Sequence, residues 1–146
     1  MLSDIQRLRE ATGAGVMECK KALAEAGGDF DKAVTIIHER GFDRALKKQD
    51  RATGAGRLHS YIHNERVGVL LELRSETDFV ARSDEFKKLA HVLSMQIAAM
   101  DPADKDALMS QPFIQDESIT VEELIKRTIS TLGENIKIER FARYEL

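Results

Sequence analysis

A chain of 146 residues that is 42% hydrophobic and 32% charged has the composition of a globular protein. No apolar run approaches the roughly 20 residues needed to span a bilayer, and residues 1–4 (MLSD) do not resemble a signal peptide, so we expect neither feature. The net charge of −3 does not favour direct binding to nucleic acid. The single cysteine, Cys19, cannot form an internal disulfide or a cysteine-based zinc site, and we expect a small buried residue on a helix.

Three short helical patterns open the chain. The first begins at Ser3, which can act as a helix cap, and it breaks at residues 12–15 (TGAG). The second ends at the glycine pair 27–28, and the third ends at Gly41. Helices this short are not stable alone in water, so the pattern predicts a packed three-helix module over residues 1–41.

A basic stretch follows over residues 42–56. It carries more cations than acids and ends in a second TGAG sequence, so we interpret it as a helical linker followed by a turn. Its charge has two possible explanations. It is either a solvated helix face or a surface that steers the protein towards an acidic partner.

The hydrophobic period then changes from helical to alternating. Residues 58–63 and 67–73 alternate on either side of a turn at residues 64–66, which predicts a β-hairpin. A long amphipathic helix should follow a cap at Ser83 and end at Asp101. We expect residues 103–118 to be mostly irregular, with a short helix near Leu108.

The chain closes with a helix and a strand. Thr120 begins a capping box and Gly133 ends the predicted helix. Residues 136–144 then alternate, with an irregularity between Ile138 and Phe141. Residues 57–146 are therefore predicted to form an α+β core with a three-stranded antiparallel sheet and two main helices.

Sequence motifs for covalent chemistry are absent. There is no GxxxxGK[ST] phosphate loop, so this chain should not itself hydrolyse nucleotides. His59 and His63 share one face of a strand, but two histidines are a weak metal signal, and we expect a surface or subunit-contact role. His38 and His91 have no obvious acidic or thiol partner. We predict no metal, no cofactor and no enzymatic activity.

One loop combines a large apolar ring with a carboxylate. Residues 75–82 (SETDFVAR) join the second strand to the long helix. From the residues alone, Phe79 could be a core residue or a displayed one, and Asp78 could simply form a turn.

Three motifs together carry a family resemblance. Residues 12–23 (TGAGVMECKKAL), 76–82 (ETDFVAR) and 133–136 (GENI) resemble, in the same order, the signatures of the elongation factor Ts family. The resemblance implies a three-helix module like a ubiquitin-associated domain, a linker and an α+β core. It also implies a cytoplasmic translation elongation factor that acts as a guanine-nucleotide exchange factor for elongation factor Tu.

The resemblance also assigns partner-binding residues. In the family, the helical module docks on the GTP-binding domain of elongation factor Tu, and an Asp-Phe pair enters beside the nucleotide and its magnesium. The positions that match the docking residues are Leu8, Arg9, Val16 and Met17. The positions that match the exchange loop are Thr77, Asp78, Phe79 and Val80.

The sequence departs from the family pattern at three places. Many relatives have a second core half or a long helical insertion, and residues 101–120 leave room for neither. Val16 replaces a common methionine, and Arg74-Ser75 replaces the usual Asn/Gln-Cys.

A single core half suggests a homodimer. Its three-stranded sheet would expose edges and one face, and we expect pairing through this sheet with His59, Tyr61, His63 and Tyr144 as candidates. Two other classes of function compete with nucleotide exchange. The helical module could serve as a binding module for a different partner, or the histidines could belong to a small enzyme.

Overall fold

The computed structural model describes residues 2–146, with side chains from Ser3 onward. Three helices form its N-terminal part: α1 (Leu2–Thr12), α2 (Val16–Glu25) and α3 (Phe30–Lys48). They enclose a small apolar cluster made of Ile5, Leu8, Cys19, Ala22, Leu23, Ala33 and Ile37. The three predicted helices are thus confirmed, and Cys19 is buried as expected. Burial raises the pKa of its thiol.

Two of the predicted helix ends are wrong. Ser3 lies inside α1 rather than capping it, because the helix already includes Leu2. The third helix does not stop at Gly41 but continues to Lys48. Gly41 is buried there against a later helix, and its lack of a side chain permits the close approach. The division into residues 1–41, 42–56 and 57–146 stays a prediction, and residue 1 lies outside the described residues.

The predicted hairpin is confirmed as β1 (Ala55–His63) and β2 (Val67–Ser75). The strands pair antiparallel, from His63 opposite Val67 to Ala55 opposite Ser75. At the turn, Asn64 and Glu65 both adopt positive φ angles, of 49° and 60°. Paired left-handed residues give a turn whose twist matches that of the two strands.

Two helices follow the hairpin. The short α4 (Asp78–Ala81) was not separated from the loop in the sequence, whereas α5 (Asp84–Met100) matches the predicted amphipathic helix. The Ser83 cap is confirmed, since its Oγ accepts a hydrogen bond from the N–H of Phe86 at 3.3 Å. Helix α5 packs its apolar side on the sheet and contributes much of the main core.

Residues 103–118 contain more structure than we expected. The short helix near Leu108 is confirmed as α6 (Lys105–Ser110), but a small hairpin of β3 (Pro112–Phe113) and β4 (Asp116–Thr120) follows it. Gln96, a buried residue of α5, holds this hairpin. Its Nε2 donates to the carbonyl of Pro112 at 3.1 Å, and its Oε1 accepts from the N–H of Ile114 at 2.9 Å.

The last two elements are α7 (Val121–Leu132) and β5 (Ile136–Glu145). Strand β5 pairs antiparallel with β2, which gives the predicted three-stranded sheet in the order β1-β2-β5. Leu73 pairs with Ile138 and Glu72 with Arg140, so Glu139 is the extra residue of a bulge. The expected irregularity before Phe141 is therefore confirmed, as is the α+β fold.

Candidate partner-binding site

Helix α4 displays one large apolar side chain. Thr77 caps this helix, since its Oγ1 accepts a hydrogen bond from the N–H of Val80 at 3.4 Å. Val80 and Ala81 are buried in the main core, with Val80 only 5% exposed. Phe79, between Asp78 and Val80, is 87% exposed. Phe79 is therefore exposed to solvent and is not a core residue. Its buried neighbours Val80 and Ala81 hold the short helix in place.

The base of α4 is bonded to the turn between α7 and β5. The carboxylate of Glu134 accepts two hydrogen bonds from Thr77, one from the N–H at 3.0 Å and one from Oγ1 at 2.7 Å. In return, Glu76 accepts from the N–H of Asn135 at 2.7 Å. Sequence reasoning assigned no role to Glu134 or Asn135, although both belong to the third family motif. Their place beside the loop could not be predicted from spacing, because Glu134 is 57 positions from Thr77 and Asn135 is 59 positions from Glu76.

Ser75 completes the support of the loop. It is fully buried, and its Oγ donates to the carbonyl of Thr77 at 2.9 Å. The preceding Arg74 pairs instead with Glu72 at 2.8 Å. The departure from the family pattern at these two positions is thus compatible with an ordered loop.

The four docking positions do not share one environment. Val16 and Met17 begin α2 and are exposed, Met17 by 62%, and Arg9 is exposed in the last turn of α1. Leu8, by contrast, is fully buried in the cluster of the three helices. Three of these side chains are therefore exposed to solvent, whereas Leu8 belongs to the packed interior of the three helices. Val80 of the exchange loop is likewise buried, in the main core.

The three-helix part packs on the core through α3 and α7. A Cβ added at Gly41 would lie 2.9 Å from Oγ of Ser130, so the two helices approach closely. Arg44 bridges this contact by donating to Ser130 Oγ at 3.0 Å and to Glu18 at 2.8 Å. Beside it, a nitrogen of Arg127 lies 3.2 Å from Nδ1 of His38, whose pKa is lowered by burial and by the nearby guanidinium.

Two arginines of the basic stretch, together with Arg40 just before it, already have acidic partners within the protein. These ion pairs are Arg40–Glu25 at 2.6 Å, Arg44–Glu18 at 2.8 Å and Arg51–Glu76 at 3.7 Å. Such pairs reduce the field that the arginines present to solvent. For these residues, the internal role is favoured over steering.

The sheet leaves one face uncovered. His59 pairs with Leu71 and Tyr61 with Val69, so all four side chains point to the side that α5 covers. His59 and Tyr61 both contact the ring of His91 on α5. The candidate role of these residues in pairing of two copies stays a prediction, and the hairpin register places His59 and Tyr61 on the α5 side of the sheet. The outer sheet face is instead formed by exposed side chains of Leu58, Ile62, Leu70 and Tyr144.

The histidines do not assemble a metal site. Over residues 2–146, no group of three or more His, Cys, Asp or Glu side chains could hold a metal ion. Nε2 of His59 lies 3.2 Å from Nδ1 of His91, and burial lowers the pKa of His59. Within the same residues, no helix is both long and apolar enough to cross a membrane.

Comparisons with known proteins agree with the three motifs. A family model described as Elongation factor TS matches residues 76–146. Elongation factor Ts of Coprothermobacter proteolyticus is 40% identical, with 97% of this chain and 95% of that protein aligned. Elongation factor Ts of Fervidobacterium nodosum is 39% identical, with the same two shares. The chain therefore belongs to the elongation factor Ts family.

Other relatives are longer than this chain. It spans 66% of elongation factor Ts of Gloeothece citriformis, at 42% identity, and 17% of a chloroplast polyprotein of EF-Ts from rice, at 40% identity. Even the alignment with the Coprothermobacter proteolyticus protein covers 188 positions, which exceeds the 146 residues available here. Relatives thus carry segments that this chain lacks.

Proposed function

We propose that this protein is a translation elongation factor of the cytoplasm that acts as a guanine-nucleotide exchange factor for elongation factor Tu. It performs no covalent chemistry of its own and promotes release of GDP from the GTPase. The observation that carries the proposal is the exposure of Phe79 beside Asp78 on a helix anchored by its other residues. An exposed aromatic ring held this firmly gains free energy only when another surface covers it.

The exchange loop cannot supply the required free energy alone. Moving a nucleotide equilibrium from 1:99 to 99:1 takes about 5.5 kcal/mol of differential binding. Burial of one Phe side chain contributes roughly 1.5–3 kcal/mol. A second contact must therefore hold the complex together while Phe79 acts near the phosphates.

The helical module supplies that second contact in our proposal. Arg9, Val16 and Met17 present a charge and two apolar side chains at one end of the module, and these dock on the GTP-binding domain of elongation factor Tu. Leu8 and Val80 contribute by keeping the two contact regions in shape, because their own side chains are buried. The two regions then bind one partner simultaneously.

Asp78 gives the loop its selectivity for the empty GTPase. GDP is held by backbone amides around its phosphates and by magnesium. A carboxylate brought to that site competes for the magnesium and repels the phosphates. By linkage, bound nucleotide weakens binding of this protein by the same factor by which this protein weakens nucleotide binding.

The experiment measures release of fluorescent GDP from bacterial elongation factor Tu, with and without this protein. We expect strong acceleration by the wild type and a large loss with Phe79→Ala. Met100→Ala is the matched control, since Met100 is also an exposed apolar residue but lies at the far end of α5. Equal release rates with wild type and Phe79→Ala would contradict the proposed role of Phe79.

We further propose that two copies pair through the outer sheet face. Leu58, Ile62, Leu70 and Tyr144 form an apolar surface on a sheet whose other side is covered, and a second copy would bury it. Ile62→Glu should weaken the dimer, whereas Gln115→Glu on the small hairpin should not. Light scattering at micromolar concentration measures this, and a monomeric wild type would argue against pairing.

A further inference from the structure

The turn at residues 133–135 contacts both the exchange loop and the chain just after the C-terminal end of α3. We propose that Glu134 and Asn135 are positioning residues for nucleotide exchange. Glu134 fixes the direction of Phe79, and Asn135 ties the exchange loop to the helical module. The inference rests on the proposed function and assigns this motif its part in it.

Glu134 determines how the cap of α4 is oriented. The hydroxyl of Thr77 has one proton, which it donates to Glu134 at 2.7 Å, so its lone pairs are left for the N–H of Val80. The second oxygen of Glu134 fixes the backbone N–H of Thr77 at 3.0 Å. A four-residue helix has no stability of its own, so the direction of Phe79 depends on this cap and on the buried Val80 and Ala81.

A second bond makes the connection reciprocal. Glu76 accepts from the N–H of Asn135 at 2.7 Å and lies 3.7 Å from the guanidinium of Arg51. The exchange loop and the turn at residues 133–135 thus each donate a backbone N–H to a carboxylate of the other. Bonds to a charged acceptor are stronger than neutral ones, and two of them resist rotation of the loop.

Asn135 extends the connection to the C-terminal end of α3. Its side chain is only 2% exposed, and its Nδ2 donates to the carbonyls of Gln49 at 3.3 Å and Arg51 at 2.8 Å. Gln49 is the C-terminal cap of α3, where helix carbonyls lack partners within the helix. Helix α3 runs without interruption from the module, so Asn135 restrains the module relative to the loop.

This restraint matters because the partner must be engaged at two places. When a first contact forms, the second becomes intramolecular, and its effective concentration depends on how rigidly the two are joined. If the hydrogen bonds between the turn at residues 133–135 and the exchange loop were lost, docking would stay intact but insertion of Phe79 would become rarer. The expected defect is therefore in the maximal rate of GDP release rather than in docking.

The test measures GDP release from bacterial elongation factor Tu as a function of the concentration of this protein. Glu134→Ala should lower the maximal rate about tenfold, with little change in the half-saturating concentration. Glu134→Gln should lie between Ala and wild type, because it can still accept from the N–H of Thr77 but not from the hydroxyl. Glu117→Ala, at an exposed glutamate of β4, is the control.

A double variant separates positioning from general damage. If Glu134 and Asn135 act through Phe79, then Glu134→Ala or Asn135→Ala should have little further effect on the maximal rate in a Phe79→Ala background. Full multiplication of the single-variant effects would overturn the inference, as would a wild-type maximal rate for Glu134→Ala. Circular dichroism melting confirms that each variant is folded.

A readout independent of exchange distinguishes failure of this inference from failure of the proposed function. Hydrogen exchange of the Val80 amide reports the cap directly, and we expect it to be faster in Glu134→Ala than in wild type or Glu117→Ala. If wild type does not accelerate GDP release, the proposed function fails while this measurement still applies. Unchanged protection of the Val80 amide in Glu134→Ala would refute the positioning role itself.

Discussion

Gly41 gives a quantitative test of how α3 and α7 pack. In an exposed helix interior, Gly→Ala stabilises a protein by about 0.5–1 kcal/mol because alanine loses less backbone entropy. Here the new Cβ would lie 2.9 Å from Oγ and 3.3 Å from Cβ of Ser130. Overpacking of this kind costs about 1–3 kcal/mol, so the two effects oppose each other. We expect Gly41→Ala to destabilise the protein by about 1 kcal/mol.

A second substitution removes the shorter contact. Ser130→Ala deletes Oγ, which leaves the 3.3 Å distance to Cβ of residue 130 as the shortest contact, and it also loses the hydrogen bond from Arg44. The double variant should therefore be more stable than the sum of the single effects by about 1 kcal/mol. Urea unfolding followed by circular dichroism measures all four proteins of the cycle. If Gly41→Ala alone is stabilising, and equally so with Ser130→Ala, the close approach of the two helices is refuted.

Three further predictions use urea unfolding. Val80→Ala should lower the free energy of unfolding by about 2 kcal/mol, because Val80 is buried. Phe79→Ala, at the exposed neighbour, should lower it by less than about 0.5 kcal/mol. Similar losses for the two variants would contradict the assigned burial. Gly56→Ala should destabilise the protein more than Gly54→Ala, because a Cβ at Gly56 would clash with the backbone of β2, whereas a Cβ at Gly54 would meet no other atom within 4 Å. Equal stabilities of the two variants would count against the strand register. The pKa of His59 is lowered chiefly by burial, so folding opposes its protonation, and stability should fall as the pH drops through about 6.5. His59→Gln should reduce that loss, and an unchanged pH profile would exclude His59 as its source.

The local patterns of this sequence predicted most of the secondary structure. The hairpin, the Ser83 cap and the irregularity before Phe141 each follow from a few neighbouring residues. Their signals are short-range, since alternation and capping depend on backbone geometry within a turn or a strand pair. The same signals failed at Gly41, where a helix that should end continues. Burial against Ser130 outweighs the low helix propensity of glycine there, and that contact is not visible from the residues around Gly41.

The candidate site was less accessible to sequence reasoning. The residues alone left Phe79 undecided, because exposure depends on what the rest of the fold covers. The alternation separated the two faces of the hairpin, but it did not show which face a helix would cover. In the structure, His59 and Tyr61 contact His91 of α5, so theirs is the covered face. Glu134 could not be predicted as a partner of Thr77, because the two residues are 57 positions apart in the chain.

Gln96 has a consequence for the order in which the molecule assembles. Strand β3 contains only two residues, so its ladder with β4 is too short to define the small hairpin by itself. One side-chain amide on α5 holds the hairpin by its carbonyl and its NH₂ group together. The hairpin can reach its place only after α5 has formed. It should be the last part of the core to close during folding and among the first to open, which makes the amide of Ile114 a natural reporter of partial unfolding.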